Sequence, residues 1–267
     1  MGQARTPPIP SRPPPHAGKC ANCLSGPASR RKAAPMTTPE PLGRGVFISI
    51  EGIDGSGKST VVESVRRWIE SHGRPVTVLR EPGGTALGES LRRILLDPRY
   101  APMAPWAEAC LYAASQAQQV WETIVPSLER GAWIVADRFR DATVAYQGCG
   151  RGLGAERIQK MQEIVLGGLF PDLTVLLDCT VATAWDRLSR RPGRHDRMER
   201  EAKDFMERVR RGYLDLARKN SGRFVVIDAN RDAATVLEDV TEAIRRRLGH
   251  NPAEGRSFSH EIRHDGF

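Results

Sequence analysis

One lysine, three hydroxyl residues and three glycines stand together in Gly52-Ile53-Asp54-Gly55-Ser56-Gly57-Lys58-Ser59-Thr60, in an order that fits G-x-x-x-x-G-K-[ST]. Glycines at these positions let the backbone curl so that successive N–H groups point at one spot, an anion-binding nest at a helix N-terminus. In such a loop Lys58 reaches the outer phosphates of a bound nucleotide such as ATP, and the Ser59 hydroxyl can ligate Mg²⁺. The apolar run Val46–Ile50 ahead of it and the helical pattern through 61–71 behind it give the loop its setting, and make a coincidental glycine-rich turn a poor alternative.

Three further clusters carry charge where phosphate chemistry would use it. Arg80-Glu81-Pro82-Gly83-Gly84-Thr85 puts a guanidinium at a turn, suited to gripping a second phosphate; the plainer alternative is an Arg80–Glu81 ion pair. Asp137-Arg138-Phe139 ends an apolar run, so Asp137 could organise Mg²⁺ while Arg138 faces the phosphates; a surface ion pair is the alternative. Arg187, Arg190, Arg191, Arg194 and Arg197 surround Pro192-Gly193, which reads as a short lid closing cations over a transferring phosphate rather than as a solvated basic face.

The elements that must position these residues alternate. Short apolar runs at 46–51, 76–79, 133–136, 173–177 and 224–227 read as strands, and the segments 87–95, 105–130, 156–167, 183–190, 199–219 and a last one ending at 248 as helices. Strands apolar on both sides and separated by helices predict an α/β fold, a five-stranded parallel sheet flanked by helices on both faces. Ligands then belong beyond the carboxyl ends of the strands, where Glu51/Asp54, Arg80-Glu81, Asp137-Arg138, Asp178 and Asp228 fall.

The 267 residues divide unevenly. Residues 46–248 suit one domain, flanked by an N-terminal extension (1–45) and a short tail (249–267). Residues 1–39 hold nine of the 19 prolines, six basic residues and no acid, with almost no apolar periodicity, a composition expected to stay disordered. They carry six of the eight net positive charges, so the high overall charge does not point to a nucleic-acid partner. A transit peptide, a myristoylation signal at Met1-Gly2 and a zinc site at Cys20-Ala21-Asn22-Cys23 all fit less well than a dispensable arm or a start at Met36. Five cysteines form no disulfide framework, and no 18-residue apolar span or secretory segment occurs, so a soluble, cytoplasmic protein with no membrane partner is expected.

Taken in order and spacing, these motifs, with Ala145-Tyr146-Gln147-Gly148-Cys149-Gly150-Arg151-Gly152, Asp196-Arg197-Met198-Glu199 and Tyr213-Leu214-Asp215-Leu216-Ala217, resemble the thymidylate kinases among the P-loop nucleoside monophosphate kinases. The resemblance runs from about Val46 to Leu248 and implies that ATP and dTMP give dTDP and ADP, with Mg²⁺, in a homodimer. It assigns Asp54 to the sugar 3′-hydroxyl, Arg80 and Arg138 to the substrate phosphate, and Thr143, with Gln147, to the base edge. It sets the Tyr146 ring where a ribose 2′-hydroxyl would clash. Family members carry basic residues either inside the phosphate loop or in the lid; Gly55 and the lid arginines Arg190, Arg191 and Arg194 place this chain with the second, bacterial kind. The helix that usually offers a Phe to stack on thymine and an Arg to read O4 here has Tyr112 and Gln116, i and i+4 on one face. Gln can donate or accept by turning its amide, which predicts a loosened choice of base. A kinase of altered base preference (dUMP, dCMP or a modified pyrimidine) and a non-catalytic nucleotide-binding regulator are the alternatives. The regulator fits less well, because Lys58, Asp137, Arg138 and the lid arginines are all present. Apolar residues beyond one narrow stripe (Leu153, Ile158, Met161, Ile164, Val165) hint at the dimer.

Overall fold

The computed structural model describes residues 45–190, 196–199 and 201–249. The expected arm up to residue 44, the tail from 250, and Arg191 and Arg194 of the expected lid lie outside the described residues. Five strands, β1 (Phe47–Glu51), β2 (Val76–Arg80), β3 (Trp133–Asp137), β4 (Leu173–Asp178) and β5 (Phe224–Asp228), form one sheet in the order β2-β3-β1-β4-β5. Every pairing is parallel, as the doubly apolar runs require. The alternation along each strand explains the two cores. Ile48 and Ile50 of β1, with Trp133 and Val135 of β3, face one apolar cluster; Phe47, Ile134 and Ala136 face the other.

Nine α-helices cover the sheet among the described residues: α1 (Lys58–Ser71), α2 (Ala86–Leu96), α3 (Pro105–Gln119), α4 (Val125–Glu129), α5 (Arg140–Thr143), α6 (Ala155–Leu166), α7 (Val181–Ser189), α8 (Lys203–Lys219) and α9 (Ala233–Leu248). The expected helix over 105–130 is continuous, but a π-helical turn, Val120–Ile124, joins α3 to α4. Pro126 lacks an N–H and crowds the carbonyl four residues back, and the wider turn absorbs that mismatch. Between β3 and α6 no element was expected, yet α5 runs into a π-helical segment, Val144–Gly150. Its two glycines and Val144 hide it from propensity. Packing decides instead, because a Cβ at Gly150 would fall 2.7 Å from the Phe205 ring on α8. The helix expected from Glu199 starts only at Lys203, since the Asp196 carboxylate holds the N–H groups of Met198 and Glu199 in a turn at 2.8 and 2.9 Å.

Candidate active site

The carboxyl ends of β1, β2 and β3 open on one cavity of about 530 Å³, of a size that takes small organic ligands. β1 is the middle strand, so the loop that follows it lies at the centre of the site. α1 begins at Lys58 itself, earlier than the apolar pattern suggested, with Gly57 in the left-handed region (φ 97°) as its cap. The unpaired N–H groups of the first helical turn therefore belong to the loop, an arrangement that can receive an anion. Gly57, Lys58, Ser59 and Thr60 line the cavity. The Lys58 ammonium donates to the Ile53 carbonyl at 2.9 Å, and its burial, with Arg138 close by, lowers its pKa.

Gly55 shows why the loop carries no cation besides Lys58. Its φ is +85°, and a Cβ there would sit 2.4 Å from the Ala184 carbonyl oxygen of α7. Any side chain at 55 collides with α7, so additional positive charge must come from elsewhere.

Across the cavity Arg138 is the organising cation. It is the one non-glycine residue with positive φ (73°) among the described residues, a conformation that costs about 1–3 kcal/mol. Several bonds hold it there. Its own N–H donates to the Ile50 carbonyl at 3.1 Å, and the Phe139 N–H donates to Glu51 Oε1 at 2.8 Å. The guanidinium donates to the Gly52 carbonyl (2.8 Å), to Asp54 Oδ1 (2.6 Å) and to the hydroxyls of Tyr146 (2.9 Å) and Tyr213 (3.2 Å). Burial alone would raise the Asp54 pKa, but Arg138, Lys58 and the Tyr146 hydroxyl bring it down to about 2, so Asp54 is an acceptor at neutral pH. Burial, with Asp141 nearby, pushes Glu51 up to about 7 against the pull of Arg138 and the hydrogen bonds from Ser49 and Tyr213. Arg80 lines the cavity at the end of β2 and pairs with Glu89 at 3.3 Å, not with Glu81.

The far side is built by α3 and the α5/π-helical segment. Tyr112, Thr143, Tyr146 and Gln147 line it. Gln116, one turn from Tyr112, does not reach the cavity; it is fully buried behind Thr143, to whose hydroxyl it donates at 2.9 Å. The expected free rotation of its amide is therefore corrected: the other end of the group accepts from Gln162 at 3.3 Å. Gly52 and Ser56 serve as loop backbone rather than lining, and the Ser56 side chain is turned inward.

Of the expected lid cations, Arg187 lines the cavity, whereas Arg190 is exposed and pairs with Asp186 at 2.9 Å. Arg197 is corrected from a mobile cation to an anchor. It is 6% exposed and donates to Glu108 at 2.6 Å and to the Leu95 carbonyl at 2.7 Å. Asp178 and Asp228 also stand apart from the cavity, Asp178 gripping Arg210 at 2.7 Å and Asp228 bonding Asn230 at 2.7 Å.

Residues that sequence reasoning missed complete the site. Arg92, on α2, lines the cavity and donates to the Pro82 carbonyl at 2.8 Å; only the helical phase of α2 relative to Arg80 could have signalled it. Glu81 lines it too. Burial pushes its carboxyl well above the ordinary range, and the Ser115 hydroxyl nearby offsets only part of this. Glu108, on α3, is fully buried and accepts from Arg197, from Arg151 (3.0 Å) and from Gln147 (2.8 Å). Burial works against its charge, but these donors hold its pKa below the usual value.

Ser59 and Asp137 are oxygen donors on the same cavity, and no group of three or more His, Cys, Asp or Glu that could cage a metal occurs among the described residues. That sparse donor set fits Mg²⁺, which takes one or two protein oxygens beside phosphates and waters.

A parallel sheet with this loop at its centre, facing a second cationic site across one cavity, defines a P-loop phosphotransferase for two phosphorylated ligands. The profile of the thymidylate kinase family matches residues 50–240. A thymidylate kinase of Pelotomaculum thermopropionicum is 46% identical over 205 residues, 77% of this chain and 95% of the relative. Those of Desulforudis audaxviator and Carboxydothermus hydrogenoformans are 45% and 43% identical, covering 79% and 74% of this chain and 95% of each relative. The chain belongs to the thymidylate kinase family.

Proposed function

We propose that this chain transfers the γ-phosphoryl group of ATP to dTMP, giving ADP and dTDP, with the two nucleotides entering the one cavity from opposite sides. The observation that carries the reading is the phosphate loop and the Arg80/Arg138 pair opening on that same cavity. The loop from Gly52 to Thr60 receives the donor phosphates, with Lys58 against the outer ones. Ser59 and Asp137 would hold Mg²⁺, which when bound neutralises charge shared between the β- and γ-phosphates. Arg80 and Arg138 hold the acceptor phosphate, Asp54 takes the sugar 3′-hydroxyl, and the Tyr146 ring leaves no room for a ribose 2′-hydroxyl. The base lies by Tyr112, Thr143 and Gln147, with Gln116 acting from behind. No nucleophilic side chain is placed by a base, so the reaction is direct transfer by positioning and charge. Arg190, Arg191 and Arg194 are the lid cations that close over the transferring group.

The family membership favours this reading over altered base preference or a non-catalytic regulator. No described helix is long and apolar enough to cross a membrane. A cytoplasmic homodimer acting on small nucleotides, without nucleic-acid or membrane partners, is part of the proposal. Of the apolar residues that hinted at the dimer, Ile158 and Leu153 face the core, while Ile164 is 84% exposed and supports an apolar contact. Residues 1–35 are proposed to be dispensable for stability and turnover. Replacing Lys58 by Ala tests the kinase reading. Turnover of dTMP should fall by about a thousandfold or more with an unchanged circular dichroism spectrum, and full activity in that variant would refute the assignment.

A further inference from the structure

Two obligate acceptors fix the hydrogen-bond polarity of the base-facing wall. The Arg140 carbonyl, which can only accept, takes a hydrogen from Gln162 Nε2 at 2.9 Å. The same Gln162 nitrogen donates to Gln116 Oε1 at 3.3 Å, so Gln116 must turn its NH₂ the other way, onto Thr143 Oγ1 at 2.9 Å. Thr143 therefore accepts from Gln116, and its own proton has no acceptor among the described residues. Four residues on, Gln147 gives its NH₂ to Glu108 at 2.8 Å. Glu108 is held as a carboxylate by Arg151 and Arg197 and cannot donate, so the Gln147 carbonyl is left with no donor among the described residues. Thr143 and Gln147 both line the cavity, beside Tyr112, whose helix neighbour Gln116 touches Thr143.

We propose that Gln116 and Glu108 are positioning residues that set Thr143 as a donor and Gln147 as an acceptor, a pair that selects the 4-oxo, N3–H edge of a pyrimidine. This rests on the kinase reading of the cavity. Thymine and uracil present an acceptor at position 4 beside a donor at N3, and meet both groups. Cytosine presents the reverse, an amino group against the Thr143 proton and a bare nitrogen against the Gln147 carbonyl. Each mismatch leaves a buried polar group unpaired, which is the way a site rejects an analogue most strongly. A single Gln at 116 thus does through Thr143 what a cation would do directly, without loosening the choice of base.

The test reverses the relay. In Gln116→Glu a carboxylate accepts from both Gln162 and Thr143, which turns the Thr143 proton away from the base. With saturating MgATP, the ratio of kcat/KM for dTMP to that for dCMP should fall by about tenfold or more, and dUMP should follow dTMP. Gln116→Met, which carries no charge, releases the Thr143 hydroxyl and should lower the ratio as well. Thr143→Val should lower it by removing the donor, and Thr143→Ser should keep it. A ratio unchanged in folded Gln116→Met and Thr143→Val enzymes would overturn the proposal. A wild-type enzyme inert on both dTMP and dUMP would overturn the kinase reading instead.

Discussion

Replacing Glu108 by Ala should be among the most damaging changes outside the phosphate loop, and its cost can be worked from its partners. The carboxylate is fully buried and accepts from Arg197 at 2.6 Å, Arg151 at 3.0 Å and Gln147 at 2.8 Å. Arg151 keeps Glu201 at 2.6 Å and its stack on Phe205, so it survives the loss. Arg197 does not. It is 6% exposed, its Nη2 already lacks a partner, and only the Leu95 carbonyl would remain to it. Leaving a buried guanidinium without its counter-charge costs about 3–5 kcal/mol. For a domain of this size that is a drop in Tm on the order of 10 °C. Urea titrations of wild type, Glu108→Met, Arg197→Met and the double variant measure the coupling. Because the penalty is an unpaired charge, the double variant should recover about 2 kcal/mol or more relative to the sum of the singles. Additivity to within about 0.5 kcal/mol would refute the argument. Glu108→Met should also raise the KM for dTMP, since Gln147 loses the group that orients it.

Other outcomes follow from single positions. Gly55→Ala places a Cβ at φ +85° and 2.4 Å from the Ala184 carbonyl, so stability should fall by at least about 2 kcal/mol; an unchanged Tm would show that α7 yields freely. The folded pKa of Glu51, about 7, lies above its ordinary 4.5, so the native state keeps a proton that the unfolded chain has lost. Stability should therefore decline as pH rises from 4.5 to about 7, by an amount on the order of 3 kcal/mol. Glu51→Gln should abolish that decline, gaining on wild type across the window, and parallel stability curves would contradict it. Arg138→Lys cannot reproduce the four guanidinium contacts made to Gly52, Asp54, Tyr146 and Tyr213, so kcat should fall by about a hundredfold or more, whereas a change in KM alone would argue against a role in transfer.

Much of the fold was legible in the sequence because doubly apolar strands announce a parallel sheet, and two of the polar strand ends it singled out, Arg80 and Asp137, open on the cavity while Asp178 and Asp228 do not. The phosphate loop was legible because its glycines have one conformational use. What escaped is instructive in physical terms. The Val144–Gly150 helix is imposed by packing against α8, and its residues have weak helical preference of their own. Arg197 reads as one more cation in a basic run until Glu108, 89 residues earlier, is brought against it. Gln116 reads as a free amide until Gln162 and Arg140 are brought behind it. In each case the chemistry of a side chain was set by a partner distant in sequence, which periodicity cannot show.

The account stands most directly on product analysis. Purified chain incubated with MgATP and dTMP, followed by chromatographic separation of the nucleotides, should yield dTDP and ADP in equal amounts, with no phosphate on the protein by mass spectrometry. ADP without dTDP, or no turnover of dTMP by a folded protein that binds ATP, would contradict it.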